Sequence, residues 1–214
     1  MWGAAQLVVY HTQTQKIINS ITTGTHPNDF VVSKNGKFIF IANAEDNSVS
    51  VIDIKNRKLI ETLNCALYPN APAGSSSNAV ALSEDEKTLY IANADNNCLA
   101  VFDVSVPGNS QSKGFIPVGW YPTGVKVVGN NIYVTNGKGF SSFPNPLGPD
   151  PYKKNAQMAV QKGLLKSEKE VQYIGGLMKG TLSIIHTPSE KQLGLYSKAV
   201  YENTPYTKLN EEKS

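Results

Sequence analysis

GWYPTGVKVVGNNIYVTNGKG, residues 119–139, contains two β-rich runs separated by a short polar segment. Val125, Val127 and Val128 are β-branched, so residues 125–128 favour a strand. Residues 129–131, Gly-Asn-Asn, tolerate positive φ and favour a tight turn, and residues 132–135 form a second β-rich run. The stretch therefore predicts a β-hairpin.

This hairpin has two earlier copies, HPNDFVVSKNGKFIFIAN at residues 26–43 and SNAVALSEDEKTLYIAN at residues 77–93. Each copy is followed by a third β-rich run, NSVSVIDI at residues 47–54 and NCLAVFDV at residues 97–104, and then by a short apolar run. The repeat therefore contains four strands. Its spacing of 50 residues, from Asn43 to Asn93, lies in the range of four-stranded propeller blades.

The third strand of the repeat is apolar on both faces. Val49 and Val51 alternate with Ile52 and Ile54. Because alternate side chains of a strand point to opposite faces, both faces of this sheet need an apolar neighbour. That is the situation of a propeller blade between two other blades.

We therefore predict an all-β protein, a β-propeller of four-stranded antiparallel blades. The chain supplies about three and a half blades, an incomplete part of a seven-bladed ring. The predicted units are a half-blade at 1–22, a blade at 23–63, a blade at 64–118, a blade at 119–200 and a tail at 201–214. Since residues 7–12 and 16–21 match only the third and fourth strands, we expect the chain to be truncated at its N-terminus.

The last predicted blade contains an insertion, residues 137–180, between its second and third strands. Four prolines disrupt residues 140–151, and residues 155–165 form a weak helical candidate. Residues 181–186 and 192–200 are predicted as the third and fourth strands.

Composition excludes several classes of protein. Charged residues make up 17% of the chain and its net charge is +3, which gives no indication of nucleic-acid binding. No run of 18 apolar residues predicts a membrane span, and residues 1–3 lack the features of a secretory signal.

The candidate site is one face of the predicted propeller. The turns between strands two and three and the connections between blades lie on the same side of an antiparallel meander. We call this side the loop face, and binding residues are expected in such loops. The candidates for binding a ligand or partner are His26, Tyr68, Trp120, Tyr121, Asn136 and Lys138.

These candidates also have structural interpretations. Asn136 repeats Asn43 and Asn93 and is most simply a turn residue, and the pair Trp120 and Tyr121 is more often packing at a blade junction. No catalytic constellation, metal site or cofactor site is predicted, because the three histidines lie in different blades.

The two cysteines leave two alternatives open. Cys65 lies in a connection between blades and Cys98 begins a strand of the next blade, so a disulfide is possible in an exported protein. Free thiols are the favoured interpretation.

Several segments carry a resemblance to a known family. IANAEDNSVSVIDI, IANADNNCLAVFDV and IYVTNGKG resemble YVTN-type β-propeller repeats. GWYPTG, NGKG and PNPLGP look like the YncE-like propeller that precedes a phosphoesterase domain of the alkaline-phosphatase superfamily in bacterial proteins. The resemblance implies a periplasmic or cell-surface location, and it implies a phosphoesterase domain or another protein as partner.

Two functional hypotheses follow. The first is a non-catalytic binding or assembly module, which is more in keeping with the lack of a catalytic constellation. The second is a propeller enzyme of the lactonase type, with its site on the channel face. We also expect association, most simply as a homodimer, because an incomplete ring exposes the apolar faces of its terminal blades.

Overall fold

The computed structural model describes residues 5–69, 71–142, 144–145, 163 and 174–204, and these form thirteen strands, one α-helix and a short 3-10 turn at Ile174–Leu177. Blade one contains β1 (Gln6–His11) and β2 (Lys16–Thr22). Blade two contains β3 (Pro27–Val32), β4 (Phe38–Asn43), β5 (Ser48–Asp53) and β6 (Lys58–Asn64). Blade three contains β7 (Ser77–Leu82), β8 (Thr88–Asn93), β9 (Cys98–Asp103) and β10 (Gln111–Pro117). Blade four contains β11 (Trp120–Val128), β12 (Asn131–Gly139) and β13 (Thr181–His186), and helix α1 (Glu190–Glu202) follows it.

The strands form four separate antiparallel sheets in sequence order. Blades two and three are meanders of four strands, blade four has three strands and blade one has two. The first strand of blade three, β7, contacts both β3 of blade two and β11 of blade four. This arrangement confirms the predicted all-β propeller of about three and a half blades, with β3, β7 and β11 innermost.

The core lies between the blades. Phe40, Val49 and Val51 of blade two pack with blade three, whereas Ile41 and Ile52 of the same sheet pack toward blade one. A second cluster joins blade three to blade four. The prediction that both faces of a blade are apolar is therefore confirmed.

Each inner strand has a residue in the left-handed backbone conformation at its start. His26 and Ser76 directly precede β3 and β7, and Tyr121, the second residue of β11, occupies the equivalent place, with φ of 56°, 51° and 59°. The backbone N–H of Ala44 donates to the carbonyl of His26 at 3.0 Å, and that of Ala94 donates to the carbonyl of Ser76 at 2.9 Å. These bonds join the connection between blades to the turn between strands two and three, as expected for the loop face.

The prediction of a fourth strand at residues 192–200 is wrong, because α1 occupies this segment. Ser189 caps the helix by accepting a hydrogen bond from the Gln192 N–H at 3.3 Å. Leu193 and Val200 are the buried residues of the helix, and their separation by two turns places them on one face. The segment thus has helical periodicity and an N-cap, which outweigh its content of β-forming residues.

The insertion begins after Gly139 rather than at residue 137 as predicted, because β12 continues to Gly139. The predicted helix at 155–165 lies outside the described residues. Of the strand pairs that the repeat predicts, Val32 with Ile39 is confirmed. The other three differ by one residue: Val51 pairs with Glu61 rather than Ile60, Leu82 with Leu89 rather than Tyr90, and Val127 with Ile132 rather than Tyr133. Among the described segments, no helix has the length and hydropathy needed to cross a membrane.

Candidate functional site

A cavity of about 480 Å³ lies along the inner strands and forms the central channel of this part of the ring. Segments of β3, β7 and β11 line it, together with the turns that follow β3 and β7. Its size falls in the range of small-molecule sites in proteins. The residues of the channel that carry ionisable side chains are Asp29, Lys34, Glu84, Glu86 and Lys126.

Asp29 is the carboxylate fixed on the inner strand of blade two. Its Oδ2 accepts a hydrogen bond of 3.0 Å from the backbone N–H of Val80, on the inner edge of β7. The side chain is half-buried, and its Oδ1 has no hydrogen-bond partner among the described residues. One oxygen is therefore held in place while the other is available to a molecule in the channel.

Contacts between blades lie at one end of the channel. Lys34 Nζ lies 3.2 Å from Glu84 Oε2, and the backbone N–H of Lys34 donates to Glu86 Oε1 at 2.5 Å. Glu84 Oε1 also accepts from the backbone N–H of Gly129 at 3.2 Å. The hydrogen bond with Lys34, followed by that from Gly129, lowers the pKa of Glu84. Glu84 therefore joins blades two, three and four and is a weak base.

The other end of the channel carries amide side chains. Asn28 Nδ2 donates to Asn78 Oδ1 at 2.8 Å, and Asn78 Nδ2 donates to the carbonyl of Pro122 at 3.5 Å. These contacts again join three successive blades. Asn28 and Asn78 occupy the same place in their repeats.

The loop face contains most of the predicted binding residues, but they do not form one site. His26 Nδ1 lies 3.4 Å from Glu45 Oε1, and both side chains are exposed. Lys138 Nζ lies 4.6 Å from the centre of the Tyr121 ring, a cation–π contact. Tyr68 belongs to neither of these pairs and packs against the core between blades two and three.

Asn136 is not a surface residue. It is 1% exposed, and its Nδ2 donates to Ser183 Oγ at 2.9 Å on the neighbouring strand. Asn43 is equally buried and donates to Ser48 and Ser50 on β5, each at 3.0 Å. Asn43 and Asn136 therefore connect strand two to strand three from inside the blade. Asn93 is also buried, but its Nδ2 donates to the carbonyl of Cys65 at 2.7 Å. None of these contacts is the local turn contact that the sequence suggested.

Trp120 lines a second cavity, of about 330 Å³, which lies on the loop face outside the channel. Its walls are the turn at residues 96–97, the junction at residues 117–120 and the C-terminal end of α1. Among the described residues, no charged side chain lines this cavity.

Both cysteines are buried and free. Burial raises the pKa of Cys65 to about 11 and raises that of Cys98 as well. Cys65 Sγ lies 2.9 Å from Ser77 Oγ. Neither thiol is activated as a nucleophile. In the part of the chain that the structure describes, no group of three His, Cys, Asp or Glu side chains could hold a metal ion.

The channel residues Asp29 and Lys126 were missed by the sequence interpretation. The signal was present, since Asp29 directly follows Asn28, whose place in the repeat is shared by Asn78. Each asparagine is the second residue of an inner strand, and in a propeller the inner strands line the channel. The sequence interpretation expected binding residues only in the loops, and Asp29 and Lys126 lie on inner strands.

Residues 3–139 match the model of a protein family described as "Lactonase, 7-bladed beta-propeller". This match covers more than half of the chain. No curated protein matches the chain.

Two solved structures show a similar fold. One is hydrazine synthase of Kuenenia stuttgartiensis, with 23% identity and a TM-score of 0.51, and the match covers 62% of this chain and 36% of that one. The other is a proposed 6-phosphogluconolactonase of Bacteroides uniformis ATCC 8492, with 22% identity and a TM-score of 0.51, covering 61% and 41%. The chain spans about two fifths or less of these proteins, and the likeness shows the fold alone.

The family match overturns the first functional hypothesis. A non-catalytic binding module was expected because no catalytic constellation is visible in the sequence, but the matching family is one of lactonases. The alternative, a propeller of the lactonase type, is the better supported of the two hypotheses. The chain belongs to the family of seven-bladed lactonase β-propellers.

Proposed function

We propose that this protein hydrolyses a lactone in the central channel. Two findings support the proposal: the lactonase family match over residues 3–139, and a channel cavity of about 480 Å³ that contains an anchored carboxylate. The observation that carries it is the geometry of Asp29, with one oxygen held by Val80 and the other without a described partner.

The reaction requires a base and a site for negative charge. Water attacks the lactone carbonyl and gives one proton to the base, and the bond between the acyl carbon and the ring oxygen then breaks. The ring oxygen takes the proton back from the base and leaves as an alcohol, and the carboxylic acid that forms releases its own proton to solvent. Asp29 is the proposed general base for the attacking water, since it lines the channel cavity and its Oδ1 has no partner among the described residues. The hydrogen bond from Val80 restricts the carboxylate to one orientation, which favours catalysis.

Lys126 is the proposed partner for the developing negative charge. It lies on β11, across the channel cavity from blade two, and has no ion pair among the described residues. Lys34 is less suitable because Glu84 already neutralises it at 3.2 Å. A free ammonium group in the channel would stabilise the oxyanion and attract an anionic substrate.

The test is a pH-stat assay of ring opening over a panel of γ- and δ-lactones, corrected for spontaneous hydrolysis. Asp29→Asn keeps an acceptor for the Val80 N–H but removes the base. We expect kcat to fall by about 100-fold or more while KM changes little. The matched control is Asp53→Asn, because Asp53 contacts Asn56 in the turn between β5 and β6, outside the channel.

Lys126→Met should affect anionic lactones more than neutral ones, mainly through KM. The proposal fails if the unsubstituted protein opens no lactone of the panel, or if Asp29→Asn and Asp53→Asn are equally active.

The narrower resemblance to YVTN-type and YncE-like repeats is a further proposal, supported by IANAEDNSVSVIDI and IANADNNCLAVFDV. It favours export to the periplasm or cell surface. Fractionation of the source cells with an antibody against this protein tests it, and recovery in the cytosolic fraction would contradict it.

A further inference from the structure

The second cavity, beside Trp120, results from a difference between two equivalent blade junctions. Asn47 and Asn97 occupy the same place in blades two and three, with φ of 50° and 53°. The carbonyl of each accepts a hydrogen bond from the first residue of the following junction, from Cys65 at 2.9 Å and from Val118 at 3.1 Å. The two asparagines therefore start from the same backbone geometry.

Both the oxygen and the nitrogen of the Asn47 side chain form hydrogen bonds within the protein. Its Oδ1 accepts from the N–H groups of Gly74 and Ser75 at 3.0 and 2.6 Å, and its Nδ2 donates to the carbonyl of Pro72 at 2.8 Å. The connection between β6 and β7 supplies all three partners, and Asn47 is only 4% exposed.

The side chain of Asn97 has one such contact where that of Asn47 has three. Its Oδ1 accepts from the N–H of Tyr121 at 2.8 Å, which also fixes the orientation of the amide. Its Nδ2 has no acceptor among the described residues, because only residues 118–119 connect β10 to β11. Where blade two has the carbonyl of Pro72, blade three has the cavity of about 330 Å³.

The walls of this cavity indicate what would fill it. Trp120 is 42% exposed and offers an apolar aromatic surface. The polar groups are amides and a hydroxyl, from Asn96, Asn97, Asn203 and Thr204, and no charged side chain is among the described lining residues. A charged ligand would lose hydration there without gaining a charged partner. A neutral ring with several hydroxyl groups fits both the aromatic surface and the amides.

We propose that this cavity binds a neutral sugar, which stacks on Trp120 and offers a hydroxyl oxygen to Asn97 Nδ2 in place of the Pro72 carbonyl. The site is distinct from the channel, since the two cavities share no lining residue. It does not depend on the lactonase proposal.

Trp120 itself can report binding. The chain has two tryptophans, so Trp2→Phe leaves Trp120 as the sole source of tryptophan fluorescence. Titration with neutral monosaccharides and disaccharides should change its emission saturably for at least one sugar. Glucuronate and glucosamine, which are charged, should bind more weakly than their neutral counterparts. No saturable response to any neutral sugar, or an equal response to the charged ones, would overturn the proposal.

Asn97→Asp distinguishes the role of the side-chain oxygen, which accepts from Tyr121, from that of the side-chain nitrogen, the proposed donor to the sugar. The carboxylate still accepts from the Tyr121 N–H, but the donor to the sugar is lost, so we expect affinity to fall by about five- to tenfold or more. Asn47→Asp is the matched control at the equivalent place, with exposed Asn109→Asp as a second control if the first does not fold. Equal affinity of Asn97→Asp and the unsubstituted protein would refute the role of Asn97.

Trp120→Leu, measured by calorimetry, should remove binding. Asp29→Asn should leave it unchanged, and loss of sugar binding in that variant would instead place the sugar in the channel and overturn the proposal.

Discussion

The hydroxyl group of Ser197 lies against both backbone groups of Phe115. It accepts a hydrogen bond from the Phe115 N–H at 2.9 Å and lies 3.3 Å from the Phe115 carbonyl oxygen. The single hydroxyl proton has a nearer acceptor in the Leu193 carbonyl oxygen, at 2.9 Å. Phe115 belongs to β10, the outer strand of blade three, and Ser197 belongs to α1. A helix thus satisfies the strand edge at a place where a fifth strand could otherwise pair.

Removing this hydroxyl should destabilise the fold. In Ser197→Ala the N–H of Phe115, a residue that is 5% exposed, would lose its partner. We expect the free energy of unfolding to fall by about 1–3 kcal/mol. Urea denaturation measures the change. Ser112→Ala, at an exposed position of the same strand, is the control, and an equal effect of both would contradict the assignment.

Gly114 is required beside the same contact. Its φ is +134°, and an added Cβ would collide with Ser197 Oγ. Gly114→Ala should therefore destabilise the protein by more than Gly36→Ala, because Gly36 also has positive φ but has open space around its Cβ position. Adding Ser197→Ala to Gly114→Ala should cost less than its effect alone, as removal of the hydroxyl relieves the collision. Simple additivity in urea denaturation would argue against direct contact.

The buried thiols should be unreactive in the folded protein. We expect Ellman's reagent to label Cys65 and Cys98 slowly in buffer and completely in urea. Rapid labelling of the folded protein would show that they are accessible.

The same thiols predict a loss of stability in alkali. The folded state holds the pKa of Cys65 at about 11, above its ordinary value, so the stabilising contribution is complete below the ordinary pKa. It is lost as the pH rises toward the folded value, since the unfolded chain releases its proton first. The pH dependence of unfolding should be shallower in Cys65→Ala than in the unsubstituted protein, and identical slopes would contradict this.

Glu84 predicts the opposite pH dependence. Its pKa is lowered in the folded state by Lys34 and by the Gly129 N–H, so its contribution is present above the ordinary glutamate pKa and lost as the pH falls through the lowered one. Glu84→Gln should therefore shift the urea midpoint downward at neutral pH and have little effect in acid. Glu202→Gln, which removes an ion pair within α1, is the control. A shift from Glu84→Gln that is equally large in acid would contradict the link between blades.

The repeat carries the information that made the fold predictable. Val49, Val51 and Ile52 show that both faces of a blade are covered, and the spacing between Asn43 and Asn93 gives the size of a blade. These are local periodic patterns. The segment at 192–200 was misassigned because it follows a third strand, although the N-cap Ser189 and the helical spacing of Leu193 and Val200 were present in the sequence.

The candidate sites were harder to predict because each depends on residues from different blades. Asp29 gains its fixed geometry from the Val80 N–H, and Asn97 differs from Asn47 only through the length of the junction that follows. Neither contact is visible in a linear pattern. Sequence repeats identify equivalent positions, whereas the differences between them arise only after folding.

The left-handed residues His26, Ser76 and Tyr121 have a consequence for how this protein could acquire new specificity. The three residues carry an imidazole, a small hydroxyl and a phenol, yet their backbones have the same conformation at the start of three successive inner strands. Glycine would adopt this φ with less strain. Residue type can therefore change at these positions while the main chain stays in place. Single substitutions there are expected to change the chemistry of the loop face while the blades keep their fold.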